Sequence, residues 1–213
     1  MTSSSIQWVV FDLGGVLVRI CHHWRQAADR AGLPNFMDVD DPVVRDAIHQ
    51  VLADYEVNAI TSDDLLTRLA RISTGHSPAD IRAIIDAWLI DLYDGVGDLL
   101  DDLHRRNLRT ACLSNTNDLH WRLMFSDPRF AALGKLQHPL ASHLIAARKP
   151  QPAIYEHLET VTRAAPSGIL FFDDLPANIE AAQARGWRGR LIDPAGDTVR
   201  QMLAGLRDMI SDF

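Results

Sequence analysis

Carboxylate, hydroxyl and amino side chains follow short apolar runs or precede a turn at separate places in this sequence. Asp12 ends "WVVFD", Ser114 ends "RTACLS", Asp173 and Asp174 end "ILFFDD", and Lys149 precedes a proline that can begin a helix. Three carboxylates that lie close together repel one another and are costly to bury unless a cation compensates them. Magnesium takes oxygen ligands of this kind and commonly keeps a phosphate in its shell. These residue types therefore predict a site for an anion bound to a hard cation.

The turn after Asp12 contains a pair of glycines, which is typical of a segment that handles phosphate. Glycine lets the backbone approach an anion closely, so the amides of Leu13 and Gly14 can bind phosphate oxygens. The hydroxyl of Ser114 and the ammonium of Lys149 can bind the same anion. The sequence thus predicts a phosphate site beside the cation site.

The composition narrows the class of partner. The chain has 213 residues, a net charge of −7, and 47% hydrophobic and 23% charged residues, as expected for a globular protein with one substantial core and a smaller attached unit. Nucleic acids and anionic membranes need a basic face, which this interspersed acidic balance argues against. We expect a small-molecule ligand, and we leave open whether the protein is a monomer or a homodimer.

The cysteines and the N-terminus indicate the cellular compartment in which the protein works. Cys21 and Cys112 are far apart and have no metal-binding spacing, so the sequence suggests neither a disulfide framework nor a zinc site. No run approaches membrane-spanning length, and the N-terminus lacks the basic region and apolar segment of a signal peptide. We therefore expect a cytoplasmic protein.

Four short apolar runs predict strands that are buried on both faces, namely "WVVFDL", "LRTACLS", "GILFFDD" and "GRLID". Each lacks the polar alternation of a sheet with one exposed face. Apolar stripes with helical spacing occur within residues 96–103 and 199–210. Alternating strands and helices predict an α/β fold, a Rossmann-like three-layer parallel sheet with helices on both sides.

A helical unit is predicted between the first strand and the rest of the core. Residues 19–93 show helical periodicity without a convincing strand, and "IRAIIDAWLI" places Ile81, Trp88 and Leu89 on one helix face. "SPAD" before it has the cap, the proline and the acidic residue of a helix start. We expect a core of residues 1–18 and 94–213 and an inserted cap of residues 19–93, placed over the strand ends where open α/β sheets bind ligands.

Four motifs occur in a recognisable order: "FDLGGVL", "LSNTN", "RKP" and "FFDDLPANIEAA". Together they resemble the haloacid dehalogenase superfamily, and their order and spacing over nearly the whole chain are far more specific than any one motif. The sequence looks most like the small phosphatases with a helical cap after the first motif, among them sugar-phosphate and epoxide-hydrolase-like members. "YEVNAITSDDLLTRL" also looks like the cap signature of that group.

The resemblance implies roles for the residues that handle phosphate. Asp12 would be the nucleophile that attacks phosphorus and forms an aspartyl phosphate. Ser114 and Lys149 would bind and neutralise the transferring phosphoryl group, with Asn115 supporting them.

The resemblance also implies a magnesium site. Asp174 would bind Mg²⁺ directly, Asp173 directly or through water, and Asp12 and the backbone carbonyl of Gly14 would complete the protein ligands. Asn178 would brace the loop of the fourth motif.

The sequence departs from the family pattern at Gly14. Relatives usually have an aspartate there that protonates the leaving alcohol and later activates water, which is typically worth about 10² to 10⁴ in rate. Three explanations stay open: a substrate with a good leaving group, a replacement group from the cap such as His22 or His23, or a site with little turnover. A smaller departure is Ala146, where relatives often have glycine.

The function predicted from these observations is a magnesium-dependent phosphatase that hydrolyses small phosphomonoesters, sugar phosphates among them, through an aspartyl-phosphate intermediate. Two alternatives remain. A carbon–halogen hydrolase would also use Asp12 but needs no magnesium, and a binding or regulatory protein would keep the fold with little turnover. Loss of activity on chelation separates the first alternative from a phosphatase.

Overall fold

The computed structural model describes residues 6–34, 40–73, 75–210 and 213. Residues 1–5, part of the segment used above to argue against a signal peptide, lie outside this range. The strands are β1 (Trp8–Phe11), β2 (Val18–Ile20), β3 (Leu89–Leu92), β4 (Arg109–Ser114), β5 (His138–Ala141), β6 (Ile169–Asp173) and β7 (Arg188–Leu191). The α-helices are α1 (Trp24–Arg30), α2 (Pro42–Glu56), α3 (Ser62–Ile72), α4 (Pro78–Ala87), α5 (Val96–Arg105), α6 (Asp118–Ser126), α7 (Ser142–Ile145), α8 (Pro152–Thr162), α9 (Pro176–Ala184) and α10 (Thr198–Met209).

The core is a five-stranded parallel sheet in the order β5-β4-β1-β6-β7. All four strands predicted from apolar runs are in it. Successive side chains of a strand point to opposite faces, and in β1 Val9 and Phe11 join one hydrophobic cluster while Trp8 and Val10 join another. Helices α5 and α10 complete the first cluster, and α8 and α9 complete the second. The three-layer α/β prediction is confirmed.

Local sequence signals account for several helix ends. Thr61 and Ser77 each form a reciprocal capping box at the start of α3 and α4, with Asp64 and Asp80 as the partners. Gly186 follows α9 with a φ of 90°, a left-handed conformation that glycine adopts at helix ends without strain. These ends fold as their local sequence predicts.

Helices α1 to α4 enclose a hydrophobic cluster that is separate from the two clusters on the sheet. It contains Ile48 of α2, Leu65 and Leu69 of α3, and Ile81 and Ile84 of α4. Only one buried member, Leu119 of α6, comes from outside residues 19–93. The inserted segment therefore has a core of its own.

The prediction that residues 19–93 contain no strand is wrong. Strands β2 and β3 pair antiparallel, Val18 opposite Leu92 and Ile20 opposite Leu89, at the two ends of this segment. Helix α4 ends at Ala87, so Leu89 is buried in a strand and not on the predicted helix face. The pairing joins residues about 70 positions apart, and such a contact leaves no periodic pattern in a strand of three or four residues.

The apolar runs of the sequence also do not predict β5, which lies at one edge of the sheet. It includes Pro139, which cannot donate a hydrogen bond to a neighbouring strand and is tolerated at a sheet edge. Its first three residues are only half-buried, so it lacks the apolar run that marks the other core strands.

Within the described residues, no helix has both the length and the apolar character needed to cross a membrane.

Candidate active site

The carboxyl ends of three neighbouring strands bring the predicted site residues together. Ser114 is the last residue of β4, Asp12 follows β1, and Asp173 is the last residue of β6. The backbone amide of Asp12 donates to the carbonyl of Phe172 at 2.8 Å, which continues the pairing of β1 with β6. Asp12, Asp173 and Asp174 each offer a carboxylate oxygen, and these atoms lie within 4.8 Å of one another. The predicted convergence is therefore present.

Lys149 lies between two of these carboxylates. Its Nζ is 3.0 Å from Oδ1 of Asp12 and 2.6 Å from Oδ2 of Asp173, and its side chain is fully buried. Burial alone would lower the pKa of this ammonium, but Asp12 and Asp173 outweigh burial and raise it. Lys149 is therefore a buried, permanently charged cation at the centre of the site.

Asn115 holds the backbone of Lys149 in place. The Lys149 amide donates to Oδ1 of Asn115 at 2.8 Å, and Nδ2 of Asn115 donates to the Lys149 carbonyl at 2.9 Å. Lys149 is joined to Pro150 by a cis peptide bond. Because both amide atoms of Asn115 are used in this way, its observed contacts position Lys149.

Asp173 accepts three hydrogen bonds. Oδ1 accepts from the amide of Leu175 at 2.8 Å and from Nδ2 of Asn178 at 2.9 Å, while Oδ2 receives Lys149. Tyr155 in turn donates to the carbonyl of Asn178 at 3.0 Å, so the bracing residue is itself held. Asp12 and Asp174 therefore have more carboxylate lone pairs available for a metal ion than Asp173 has.

Burial makes Asp12 costly to ionise. Burial raises the pKa of Asp12 to about 7, the charges of Asp173 and Asp174 add to this, and Lys149 opposes it. Burial and the charge of Asp173 also raise the pKa of Asp174. The amide of Leu13, which the sequence analysis assigned to phosphate, donates at 2.7 Å to Oδ1 of Asp12. A cation bound among these carboxylates would stabilise their charged forms, and their hard oxygen donors suit Mg²⁺.

Gly15 leaves room for the Asp174 carboxylate. Its φ is 75°, and a Cβ there would lie 2.7 Å from Oδ2 of Asp174. A side chain at this position would strain the backbone and displace the carboxylate. The glycine pair noted in the sequence therefore makes room for Asp174 through its second member.

We expect Gly15→Ala to lower turnover about 10²-fold, because it displaces the Asp174 carboxylate from the site. Its matched control is Gly32→Ala, since Gly32 also has a positive φ of 69° but has nothing within 4 Å of its added Cβ. The control should lose about 1 kcal/mol of stability and keep its activity. Steady-state kinetics and thermal unfolding of both variants measure this, and equal activity of the two would show that Asp174 tolerates the displacement.

At Gly14 the neighbouring space is apolar. A Cβ there would lie 3.2 Å from Cδ1 of Ile20, so the usual aspartate would meet a hydrocarbon side chain. The histidines suggested as substitutes are both exposed, and Nδ1 of His23 accepts the amide of Gln26 as the cap of α1. The charge of His22 opposes the rise in the pKa of Asp174, but neither histidine lines the cavity beside Gly14.

A cavity of about 220 Å³ lies between the strand ends and helices α1 to α4. Gly14 and Ser114 border it from the core, and Trp24, Glu56 and Trp88 border it from the inserted segment. Glu56 and His120, which also line the cavity, are not among the site residues predicted from the sequence, although Glu56 lies within the quoted cap signature.

Fold and site together define a class of protein. The family model for haloacid dehalogenase-like hydrolases matches residues 6–186. The chain therefore belongs to this family of hydrolases, and the resemblance based on the four motifs is confirmed.

Individual relatives agree with this assignment. The phosphatase MT3486 of Mycobacterium tuberculosis (strain CDC 1551 / Oshkosh) is 28% identical over 216 residues, covering 91% of this chain and 90% of the relative. The haloacid dehalogenase family enzyme bt-2542 of Bacteroides thetaiotaomicron, solved with magnesium and inorganic phosphate, matches with a TM-score of 0.75 and 22% identity over 91% of this chain and 97% of the other. A protein of Porphyromonas gingivalis described as a predicted hydrolase of the haloacid dehalogenase-like family has a TM-score of 0.78 at 23% identity, over 96% of this chain and 99% of the other.

Proposed function

We propose that this hydrolase is a magnesium-dependent phosphatase that cleaves small phosphomonoesters through an aspartyl phosphate on Asp12. The observation that carries the proposal is the buried Lys149, whose Nζ lies 3.0 Å from the Asp12 carboxylate while Asp174 is close by. A cation at this position can neutralise phosphoryl oxygens as the carboxylate attacks. The name of the M. tuberculosis relative and the magnesium and phosphate bound by the B. thetaiotaomicron enzyme support the same chemistry.

In this proposal the chain's own residues carry out two displacements. An oxygen of Asp12 attacks phosphorus, the bond between phosphorus and the ester oxygen breaks, and the leaving oxygen takes a proton from water as the alcohol departs into the cavity beside Gly14. Water then attacks the phosphorus of the aspartyl phosphate, its proton passes to solvent, and inorganic phosphate leaves as the Asp12 carboxylate is restored. Ser114 and Lys149 bind the phosphoryl oxygens, and Asn115 acts by positioning Lys149.

The proposed ligands of magnesium are Asp12, Asp174 and the carbonyl of Gly14, with Asp173 acting directly or through water. Bound there, Mg²⁺ would lower the charge repulsion between Asp12 and the phosphate. The three hydrogen bonds that Asp173 already accepts favour the indirect role for that residue.

We also propose that residues 19–93 act as a cap that opens for substrate and closes over it. Their separate hydrophobic cluster supports this division from a core of residues 1–18 and 94–213. The paired strands β2 and β3 form the connection between the two parts.

The prediction of a cytoplasmic location rests on Cys21 and Cys112, which are both free and buried.

Metal removal tests the proposed reaction. We expect hydrolysis of p-nitrophenyl phosphate to fall to background after treatment with EDTA and to return with added Mg²⁺, because Lys149 alone does not offset three clustered carboxylates and a phosphate dianion needs a second cation to bind beside them. Release of p-nitrophenol is followed at 405 nm, and a panel of sugar phosphates assayed by phosphate release addresses the substrate. Dehalogenation of 2-chloropropionate that resists EDTA would instead establish a carbon–halogen hydrolase.

The same assay distinguishes a protein with little turnover. A regulatory protein would release a single burst of p-nitrophenol equal to the amount of protein, because the aspartyl phosphate would form and not clear. Continued release at a steady rate would show that Gly14 does not prevent the second displacement.

A further inference from the structure

Among the described residues that line the cavity, Glu56 is the only one with a carboxylate. It is the last residue of α2, and its side chain is 21% exposed. Its Oε2 is buried and accepts no hydrogen bond. Arg148 lies near, with Nη2 at 3.1 Å from this oxygen, but no guanidinium N–H is aimed at it. Because Oε2 has almost no accessible surface, the 21% exposure of the side chain belongs to its other atoms, and these are what Glu56 presents to the cavity.

Among the hydrogen bonds between described residues, none reaches the Glu56 carboxylate, and a hydrogen bond to a charged acceptor is worth more than one between neutral groups. A ligand in the cavity can donate such a bond to the accessible part of the carboxylate. The other ionisable group that lines the cavity, His120, is already engaged, because its Nε2 is 2.8 Å from the carbonyl of Ile85. Glu56 is therefore the group left to receive a donor from the ligand.

The rest of the wall indicates the shape of this ligand. The cavity has a volume of about 220 Å³, which is large enough for a small molecule. Trp24 and Trp88 meet edge to face, with their ring centroids 5.0 Å apart, and both border the cavity. Their apolar surfaces suit a compact group that has an apolar face and carries a few hydroxyls at its edge.

We propose that Glu56 selects phosphate esters whose alcohol portion carries additional hydroxyl groups, by accepting a hydrogen bond from one of them. This specificity role rests on the proposed phosphatase function, because it places the leaving alcohol in the cavity between Gly14 and the inserted helices. Glu56 acts on the leaving group, whereas Asp12, Ser114 and Lys149 act on phosphate.

The charges that face Glu56 are consistent with this role. Burial raises the pKa of its carboxyl, and the positive charges of Arg148 and Lys149 oppose the effect of burial. These two cations favour the ionised form, which accepts a hydrogen bond more strongly than the neutral acid does.

A set of three esters tests the proposal with Glu56→Met, which removes the acceptor and keeps the length of the side chain. Glucose 6-phosphate and cyclohexylmethyl phosphate are both primary alkyl esters, but only the first carries hydroxyls on its ring. p-Nitrophenyl phosphate has a good leaving group and no hydroxyl. We expect kcat/KM of the variant to fall about 10- to 100-fold for glucose 6-phosphate and to stay within a few-fold for the other two.

Other outcomes would overturn the proposal. Equal loss on all three esters would show that Glu56 only holds the inserted helices through Arg148. Equal loss on both alkyl esters, with p-nitrophenyl phosphate unaffected, would show that Glu56 is a proton donor to the leaving oxygen. No loss would show that the cavity does not use this carboxylate.

Asp54→Asn is the matched control on the same helix. Asp54 accepts a hydrogen bond from Gln50 at 2.8 Å, lies 3.8 Å from Arg68, and does not line the cavity. Its loss should leave all three kcat/KM values unchanged. Glu56→Gln, which keeps the shape of the side chain, should show a smaller loss on the same ester as Glu56→Met.

Binding separates failure of this proposal from failure of the proposed function. In the Asp12→Asn variant with Mg²⁺, calorimetry should show glucose 6-phosphate binding at least about tenfold more weakly when Glu56→Met is added. Cyclohexylmethyl phosphate should bind equally well with and without that change. If the wild-type protein hydrolyses none of the esters, the phosphatase function fails, while unequal loss of binding still supports the role of Glu56 and equal binding still overturns it.

Discussion

Replacement of Asp12 by asparagine should abolish turnover and, at the same time, stabilise the metal-free protein at pH 8. An amide cannot attack phosphorus, so we expect kcat/KM for p-nitrophenyl phosphate to fall by at least about 10⁴-fold. The amide oxygen can still accept the hydrogen bond from Lys149, whose Nζ lies 3.0 Å from Oδ1 of Asp12 in the native site. The fold is therefore retained while the nucleophile is lost.

The stabilisation follows from the sign of the pKa shift. Burial raises the folded-state pKa of Asp12 from 3.8 to about 7. A raised pKa means that ionisation is more costly in the folded state than in the unfolded state. The penalty is absent below the unfolded-state pKa near 4, grows with rising pH, and is complete above about 7.

Urea unfolding with EDTA present measures this effect. At pH 8, Asp12→Asn should be more stable than the wild-type protein by on the order of 3 kcal/mol, and the difference should disappear near pH 4. Asp94→Asn is the control, because Asp94 is 95% exposed and its carboxylate carries no burial penalty. Added Mg²⁺ should stabilise the wild-type protein more than the Asp12→Asn variant. A variant that is less stable than wild type at pH 8 would contradict the assigned charge balance.

Replacement of Lys149 by methionine should have the opposite effect on stability and a similarly large effect on activity. Methionine fills nearly the same volume without a charge, so Asp12 and Asp173 would face each other with no cation between them. Removing one partner of a buried ion pair costs about 3–5 kcal/mol, because the other charge stays buried and uncompensated. Loss of the charge that neutralises the phosphoryl group should lower kcat about 10³-fold.

The pH dependence separates this electrostatic cost from a packing defect. Without Lys149 the pKa of Asp12 should rise further, so the destabilisation of Lys149→Met should be large at pH 8 and small at pH 5 in EDTA. A packing defect would be equally large at both pH values. Lys135→Met is the matched control, since Lys135 pairs with Asp101 at 2.6 Å but is 38% exposed, and such surface pairs contribute about 0–1 kcal/mol. Equal losses in the two variants would show that burial does not distinguish the two lysines.

We expect the two variants to change the stability of the metal-free protein at pH 8 in opposite directions, because they remove opposite charges from one cluster. Asp12→Asn removes a negative charge from a site with an excess of carboxylates, and Lys149→Met removes the positive side chain that contacts Asp12 and Asp173. If both variants changed stability in the same direction at pH 8, the cluster would not be governed by electrostatics.

Several features of this protein were determined by its sequence alone. The runs that form β1, β4 and β6 are apolar throughout, because both faces of a central parallel strand are buried, and each run ends in a polar residue at the same edge of the sheet. Thr61 and Ser77 begin their helices through bonds within four residues. The local hydrophobic pattern and the capping residues are enough to predict strands and helix starts of this kind. The four motifs, in their order, indicate the protein family.

Other features were decided only by the tertiary structure. The pairing of β2 with β3, the close approach of Gly15 to Asp174, and the place of Lys149 between two carboxylates all join residues that are far apart in the sequence. Ala146 has a φ of 57°, so the surrounding packing imposes a conformation that its residue type disfavours. Glu56 could not be distinguished from a solvated helix end until α2 was placed against the core. Long-range packing determines which side chains meet, and no local pattern contains that information.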